Sequence, residues 1–360
     1  MSSVKIKAVI IRRMRIPLKV PYVLSYKTFE EFEPIVCEVV LSNGNTGWGE
    51  GHISPGSSRE TRYDGWQFIN EIASSLIGCA PEQAIFKVLN AAKNLPVAKT
   101  SITTAIEMAV RSETLLAHGS ILFPLLTPFS AYEPDAIIKE VEEHIKAGFK
   151  TFKIKVGKCV EFDLSRLRDI QSAIRGRASL RLDANRAYTL EQALDFVKRL
   201  DPHQIELFEQ PCDASDWSAN ATVAEISTVP IMLDEPICTL ADIERAGHLK
   251  NVEYCKLKLK RFGSISHLEE GIDRVSHCGM KAVLGDGLGG DLSCWMETCI
   301  ANGRVHVAGE FNGFLKQCFS LLSNPIEFRK GNVVIPKNYW PDLDRETLDN
   351  FTIEEQRFLA

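Results

Sequence analysis

Seven charged residues keep a regular beat along the middle of this chain. Lys153 with Lys155, then Asp183, Glu209 and Asp234, then Lys256 with Lys258 each stand at the end of a short apolar run. Lys155 to Asp183 is 28 residues, Asp183 to Glu209 is 26, Glu209 to Asp234 is 25 and Asp234 to Lys258 is 24. Each step is about one strand-plus-helix unit, so the charges fall at one level of successive strands. Three carboxylates converging on one small volume repel strongly unless a cation neutralises them. With no His or Cys among them, an oxygen-only set favours a hard ion, Mg²⁺ with Mn²⁺ as its substitute, over zinc. Lysines on both flanks would face opposite sides of a substrate held there, and a desolvated lysine beside other cations can act as a base. Side chains alternate along a strand, so Lys153 and Lys155 share a face, as do Asp183 and Asn185. Lys256, Lys258 and Lys260 share one too, and face alone does not choose among them.

The elements that must position these residues are legible around them. Short apolar strands are predicted at Ile121–Phe129, Thr151–Val156, Ser179–Asn185, Ile205–Pro211, Ile231–Pro236, Tyr254–Leu259, Lys281–Gly287 and Val305–Glu310, with amphipathic helices between. Thr189-Leu190-Glu191-Gln192 reads as a capping box opening one of those helices. Eight such units are the arithmetic of a (β/α)8 barrel, whose active sites sit at the C-terminal ends of the strands. A doubly wound sheet would usually carry a Gly-rich loop after its first strand, and none is present. Residues 1–120 read differently, with strands at Lys5 to Arg15 and Pro34 to Leu41 followed by a helical stretch from about Trp66 to His118. The expected fold is therefore α/β: a barrel over 121–329 with an α+β capping domain at 1–120, completed by the returning segment 330–360.

Composition narrows the partners. The chain has 360 residues, 45% hydrophobic and 25% charged, with a net charge of −5 and no basic blocks. It therefore lacks the electrostatic footprint of a nucleic-acid or anionic-membrane binder. No apolar run approaches the roughly 18 residues of a membrane span. The first residues lead into only four consecutive apolar ones, Ala8 to Ile11, too few for a signal-peptide core. The ten cysteines form no Cys-x-x-Cys pair and read as reduced thiols, so a cytoplasmic location is expected.

The segments Thr151-Phe152-Lys153-Ile154-Lys155-Val156-Gly157, Arg181-Leu182-Asp183-Ala184-Asn185, Leu207-Phe208-Glu209-Gln210-Pro211, Leu233-Asp234-Glu235-Pro236 and Lys258 to Gly263 resemble the enolase superfamily, more narrowly its muconate-lactonizing-enzyme subgroup. Gly47-Trp48-Gly49-Glu50 matches that family's capping domain. The resemblance implies that Asp183, Glu209 and Asp234 ligate Mg²⁺ and that Lys155 and Lys258 are the acid/base pair on opposite faces. It also implies that Lys153 neutralises a substrate carboxylate, with Glu235 beside Lys258. Asn185 is expected to support the same site. Lys258 has the family's spacing to Gly263, which favours it over Lys256 and Lys260. Ser264 stands where many relatives have a second glycine.

The partner expected is a small-molecule carboxylate, with subunits associating as a homo-oligomer. The seventh strand ends in Leu284-Gly285-Asp286-Gly287 without the histidine of the mandelate-racemase branch, and His277 reads as structural. Asp286 would either pair with a substrate ammonium or cap a turn. Gly309-Glu310-Phe311-Asn312 replaces the Asp-x-Asp with which dipeptide epimerases of the subgroup hold a substrate amine. Loops near Lys19–Phe29 and Gly51–Trp66 would cover the mouth, with Tyr26 and His52 as possible substrate contacts or core residues. The glycine-rich stretch around Asp286 is similar to members acting on proline derivatives. The reaction expected first is dehydration of cis-3-hydroxy-L-proline to a pyrroline carboxylate. The alternatives are racemisation or epimerisation of an amino-acid or proline-betaine derivative, cycloisomerisation, or, remotely, a non-catalytic metal-binding barrel.

Overall fold

The computed structural model describes residues 4–23, 28–54, 59–285 and 287–360. The amino-terminal unit is a four-stranded antiparallel sheet in the order Thr352–Leu359, Ile6–Met14, Pro34–Leu41, Thr46–His52. Helices Arg62–Ala73, Pro81–Leu89 and Pro96–Ala109 cover its apolar face. The closest approach explains a motif. Gly47, Gly49 and Gly51 alternate onto the face turned to helix Pro96–Ala109, where a Cβ would overlap the backbone oxygens of Ala105, Ser101 and Val97 respectively. Their absent side chains let helix and sheet touch, while Trp48, Glu50 and His52 take the opposite face. Gly49→Ala is therefore expected to lower stability by about 3 kcal/mol or more, since a helix backbone cannot yield as a side chain does. A denaturant titration showing less than 1 kcal/mol lost, as roughly expected of an ordinary surface change, would contradict this packing.

Seven parallel strands form the barrel sheet: Thr127–Phe129, Thr151–Lys155, Ser179–Asp183, Ile205–Glu209, Ile231–Leu233, Val252–Leu257 and Lys281–Leu284. The expected eighth strand, Val305–Glu310, is reduced to a single parallel bridge between Gly309 and Leu125. Closure is nonetheless made there, because Glu310 N–H donates to the Leu284 carbonyl at 2.8 Å and Leu126 N–H to that of Gly309 at 2.9 Å. The expected first strand, Ile121–Phe129, is split in two. Its first part, Ile121–Pro124, pairs antiparallel with Asn332–Ile335, and only Thr127–Phe129 enters the barrel. The chain after 330 thus serves both units, since Asn332–Ile335 stays on the barrel side before Thr352–Leu359 joins the cap.

Alternation sorts the barrel's side chains. Ile154, Leu180, Leu182, Phe208, Leu233, Cys255 and Leu257 face outward into the layer under the helices. Leu207, Met232, Tyr254 and Val283 form a separate inner cluster, and the charged ring stands on that same face toward the strand ends. The capping box is present, with Thr189 Oγ1 accepting from Gln192 N at 3.2 Å and Gln192 Oε1 from Thr189 N at 3.0 Å. All ten cysteines are free thiols. Among the described residues, no helix is long and apolar enough to cross a membrane.

Candidate active site

Strand register brings the ring to one level. Asp183 is the direct partner of Lys155 on one side and of Glu209 on the other. Asp234 follows the end of the next strand, at Leu233, and Lys258 follows the one after, at Leu257. The side chains then meet in two groups. On one flank, Lys155 Nζ lies 2.5 Å from Asp183 Oδ2 and also bonds Asn185 Oδ1. On the other, Lys258 Nζ lies 2.8 Å from Asp234 Oδ2, and Arg261 reaches Asp234 Oδ1 at 3.0 Å. Glu209 stands between them.

Depth, which parity could not supply, separates the three lysines of the sixth strand. Lys256 is only 1% exposed and its ammonium is engaged by Glu310 inside the barrel. Lys258 keeps the extended backbone one step higher, at the rim, while Lys260 lies within the short helix Leu259–Phe262. Lys153 is also deeper than expected of a substrate contact. Its ammonium lies 3.0 Å from Asp183, 2.8 Å from Glu209 and 2.9 Å from Glu310. Sequence reasoning missed the roles of Glu310, Lys256 and Arg261. Inward parity was the available signal for Lys256; Glu310 lies on a segment that is not a regular strand.

The electrostatics follow from these contacts. Burial disfavours the charge on Asp183, but Lys153 and Lys155 outweigh it and hold that carboxyl below its usual range. Asp234 is held well below it, because Lys258 and Arg261 overcome its burial. Glu209 moves upward through burial and the charge of Asp183. Burial and neighbouring Asp234 push Glu235 up to about 7. Lys256 moves downward, chiefly through burial.

Glu235 lies within the field of Lys258, but its ion pair is with Arg186, 3.3 Å away. His52 is 2% exposed and packs on Phe32 and Phe29, with ring centroids 4.9 and 6.0 Å away. The glycine-alternating strand puts it under the cap, which favours the core role over substrate contact. Tyr26 and Asp286 lie outside the described residues.

Among the described residues, no three His, Cys, Asp or Glu side chains are already drawn into a closed metal-ligand set. The lysines and Arg261 neutralise the carboxylates instead. Asp183, Glu209 and Asp234 still fit a hard divalent cation: all are oxygen donors, and buried Glu209 Oε1 has no hydrogen-bond partner. A cavity of about 390 Å³ opens beside Lys153 and Lys155, walled by Tyr22, Pro128, Phe129 and Lys316. Strand Ile16–Val23 delivers Tyr22, whose ring centroid lies 4.4 Å from the Lys316 ammonium.

Fold and ring together define a capped-barrel enzyme with acids on three consecutive strands and a lysine on each flank. Residues 136–339 match the family described as enolase C-terminal domain-like, and the chain belongs to that family, within the enolase superfamily. It is 27% identical over 307 residues to an L-Ala-D/L-Glu epimerase of Clostridium acetobutylicum, covering 80% of this chain and 84% of the relative. It is 25% identical over 276 residues to an N-succinyl-L-Arg/Lys racemase of Bacillus cereus, covering 72% and 74%. The crystal structure of a muconate lactonizing enzyme from Pseudomonas fluorescens superposes with a TM-score of 0.89 at 21% identity, over 98% of this chain and all of that one. That likeness extends to the cap as well as the barrel. Dehydration of cis-3-hydroxy-L-proline finds no support among these relatives.

Proposed function

We propose that the chain is a racemase or epimerase of a small amino-acid-derived carboxylate. The observation that carries this reading is the placement of Lys155 and Lys258 on opposite flanks of one acidic ring, each against a different carboxylate. One lysine, as a neutral amine, takes the α-proton, and the ammonium opposite returns a proton to the other face. One C–H bond breaks and one forms, so no oxidant or reductant is required. A divalent cation held by Asp183, Glu209 and Asp234 would offset the negative charge that develops on the substrate carboxylate. The two sequence relatives, an epimerase and a racemase by name, support the same class of reaction.

The substrate is narrowed by the turn after Gly309. Glu310 is engaged by Lys153 and Lys256, while Asn312 donates to Leu126 O at 2.9 Å and accepts from Lys316 at 2.7 Å. Neither is placed to hold a free substrate amine as an Asp-x-Asp pair would. This favours substrates without a free amine, N-acylated amino acids or proline betaines, over dipeptides. A second reading, dehydration of cis-3-hydroxy-L-proline, rests on the lysine pair alone, one lysine removing the α-proton and the other assisting loss of the 3-hydroxyl.

The test is incubation with Mg²⁺ in D₂O of N-acetyl amino acids, both proline betaine enantiomers, cis-3-hydroxy-L-proline and L-Ala-L-Glu, followed by NMR and chiral chromatography. The expected outcome is α-deuteration with inversion of an N-acyl amino acid or a proline betaine, with L-Ala-L-Glu unchanged. Loss of water without inversion would move the function to the dehydratase. Absence of α-exchange throughout would overturn both readings.

A further inference from the structure

Glu50 closes the cap's Gly-Trp-Gly-Glu motif and takes no part in the chemistry above. Because the glycines face helix Pro96–Ala109, Glu50 is directed away from it and toward the barrel. There it is 3% exposed, and its carboxylate accepts from Gly290 N–H and, at 3.4 Å, from Ser293 N–H. These amides open helix Asp291–Ala301, whose first N–H groups have no partner within the helix. The fit is close: a Cβ on Gly290 would stand 2.7 Å from Glu50 Oε1 and 2.9 Å from Gln317 Nε2.

Gly290 ends the short loop that follows the seventh barrel strand. Three residues earlier, Gly287 lies against the mouth, its carbonyl accepting from Lys316 Nζ at 2.6 Å. A Cβ there would meet Lys316, Asn312 and the Tyr22 hydroxyl, all three of which line the cavity. The cap's strand Ile16–Val23 meets the same segment, through a bridge between Leu18 and Gln317. A carboxylate from the cap thus holds one end of a loop whose other end forms the cavity wall.

We propose that Glu50 is a positioning residue, which sets the Gly287–Gly290 backbone and through it the Lys316–Tyr22 wall of the substrate cavity. The kinetic part of this inference rests on the proposed carboxylate site, whereas its first readout does not require turnover. Amide hydrogen exchange, read by mass spectrometry, is expected to rise about tenfold over Gly287–Ser293 in Glu50→Ala, as the buried hydrogen bonds to the Glu50 carboxyl are lost. Glu50→Gln, which keeps one acceptor oxygen, should fall between wild type and Ala, with the cap strands still protected. Gly290→Ala should reproduce the local rise from the other side of the contact. For the compound inverted in the D₂O panel, KM should rise about tenfold in Glu50→Ala with kcat within about twofold.

Unchanged exchange over Gly287–Ser293 in Glu50→Ala would overturn the proposal. So would a rise spread evenly over the whole chain, which would mean general destabilisation. A loss confined to kcat would overturn it as well. Should the alanine variant fail to fold, Glu50→Gln decides by the same criteria. If no compound in the panel is inverted, the exchange result still judges Glu50, so failure of the function and failure of the latch are distinguishable.

Discussion

Lys258→Ala is expected to lower turnover by about 10²–10⁴-fold, the usual contribution of a positioned acid or base, and Lys155→Ala to do the same. Both variants should fold. Asp234 would keep Arg261 at 3.0 Å after loss of Lys258, and Asp183 would keep Lys153 at 3.0 Å after loss of Lys155. Neither change therefore strands a buried carboxylate without a cation, the condition that makes such losses severely destabilising. Lys260→Ala serves as the control, since Lys260 sits in the helix beyond the rim and should retain most activity. Lys256→Ala should separate from both by lowering the melting temperature, because it empties a buried position against Glu310. Circular dichroism and a thermal melt accompany the rate. Retention of most activity by Lys258→Ala would move its role to another lysine of the sixth strand.

The second large effect concerns the acids. Glu209→Gln is expected to weaken Mg²⁺ binding by at least about 10²-fold. Changes to residues that merely support metal ligands already cost roughly 10–100-fold. Titration calorimetry with MgCl₂ on the purified protein reads this without any substrate. Glu209 is the most informative of the three because Oε1 is buried with no hydrogen-bond partner, whereas Asp183 and Asp234 each contact two cationic side chains. An unchanged Mg²⁺ affinity would place the cation elsewhere.

Much of this arrangement was legible in spacing and alternation. The 24–28 residue beat placed acids and lysines at one level because each βα unit returns the chain to the same end of the barrel, and strand register bears that out for Lys155, Asp183 and Glu209. Depth along a strand was less legible. Lys256 and Lys258 share a face, and only the end of the strand at Leu257 puts one inside and the other on the rim. The eighth strand was misread because Val305–Glu310 has the composition of a strand but closes the barrel through isolated backbone bonds around Gly309 and Glu310. His52 was left open between core and substrate contact, because its burial against Phe29 and Phe32 depends on the three glycines before it, which turn the strand's other face to a helix. Arg261 escaped notice because its reach to Asp234 spans two strands and depends on the short helix after Lys258.

The central claim is that two lysines serve opposite faces of one α-carbon. It is tested most directly by solvent exchange in the single-lysine variants, using both enantiomers of the compound that wild type inverts. Each variant is incubated separately with the L and D forms in D₂O with Mg²⁺, and α-deuterium is read by NMR. The prediction is a mirror image: Lys155→Ala exchanges one enantiomer without inversion, and Lys258→Ala exchanges only the other. Exchange of the same enantiomer by both variants would contradict the two-faced arrangement.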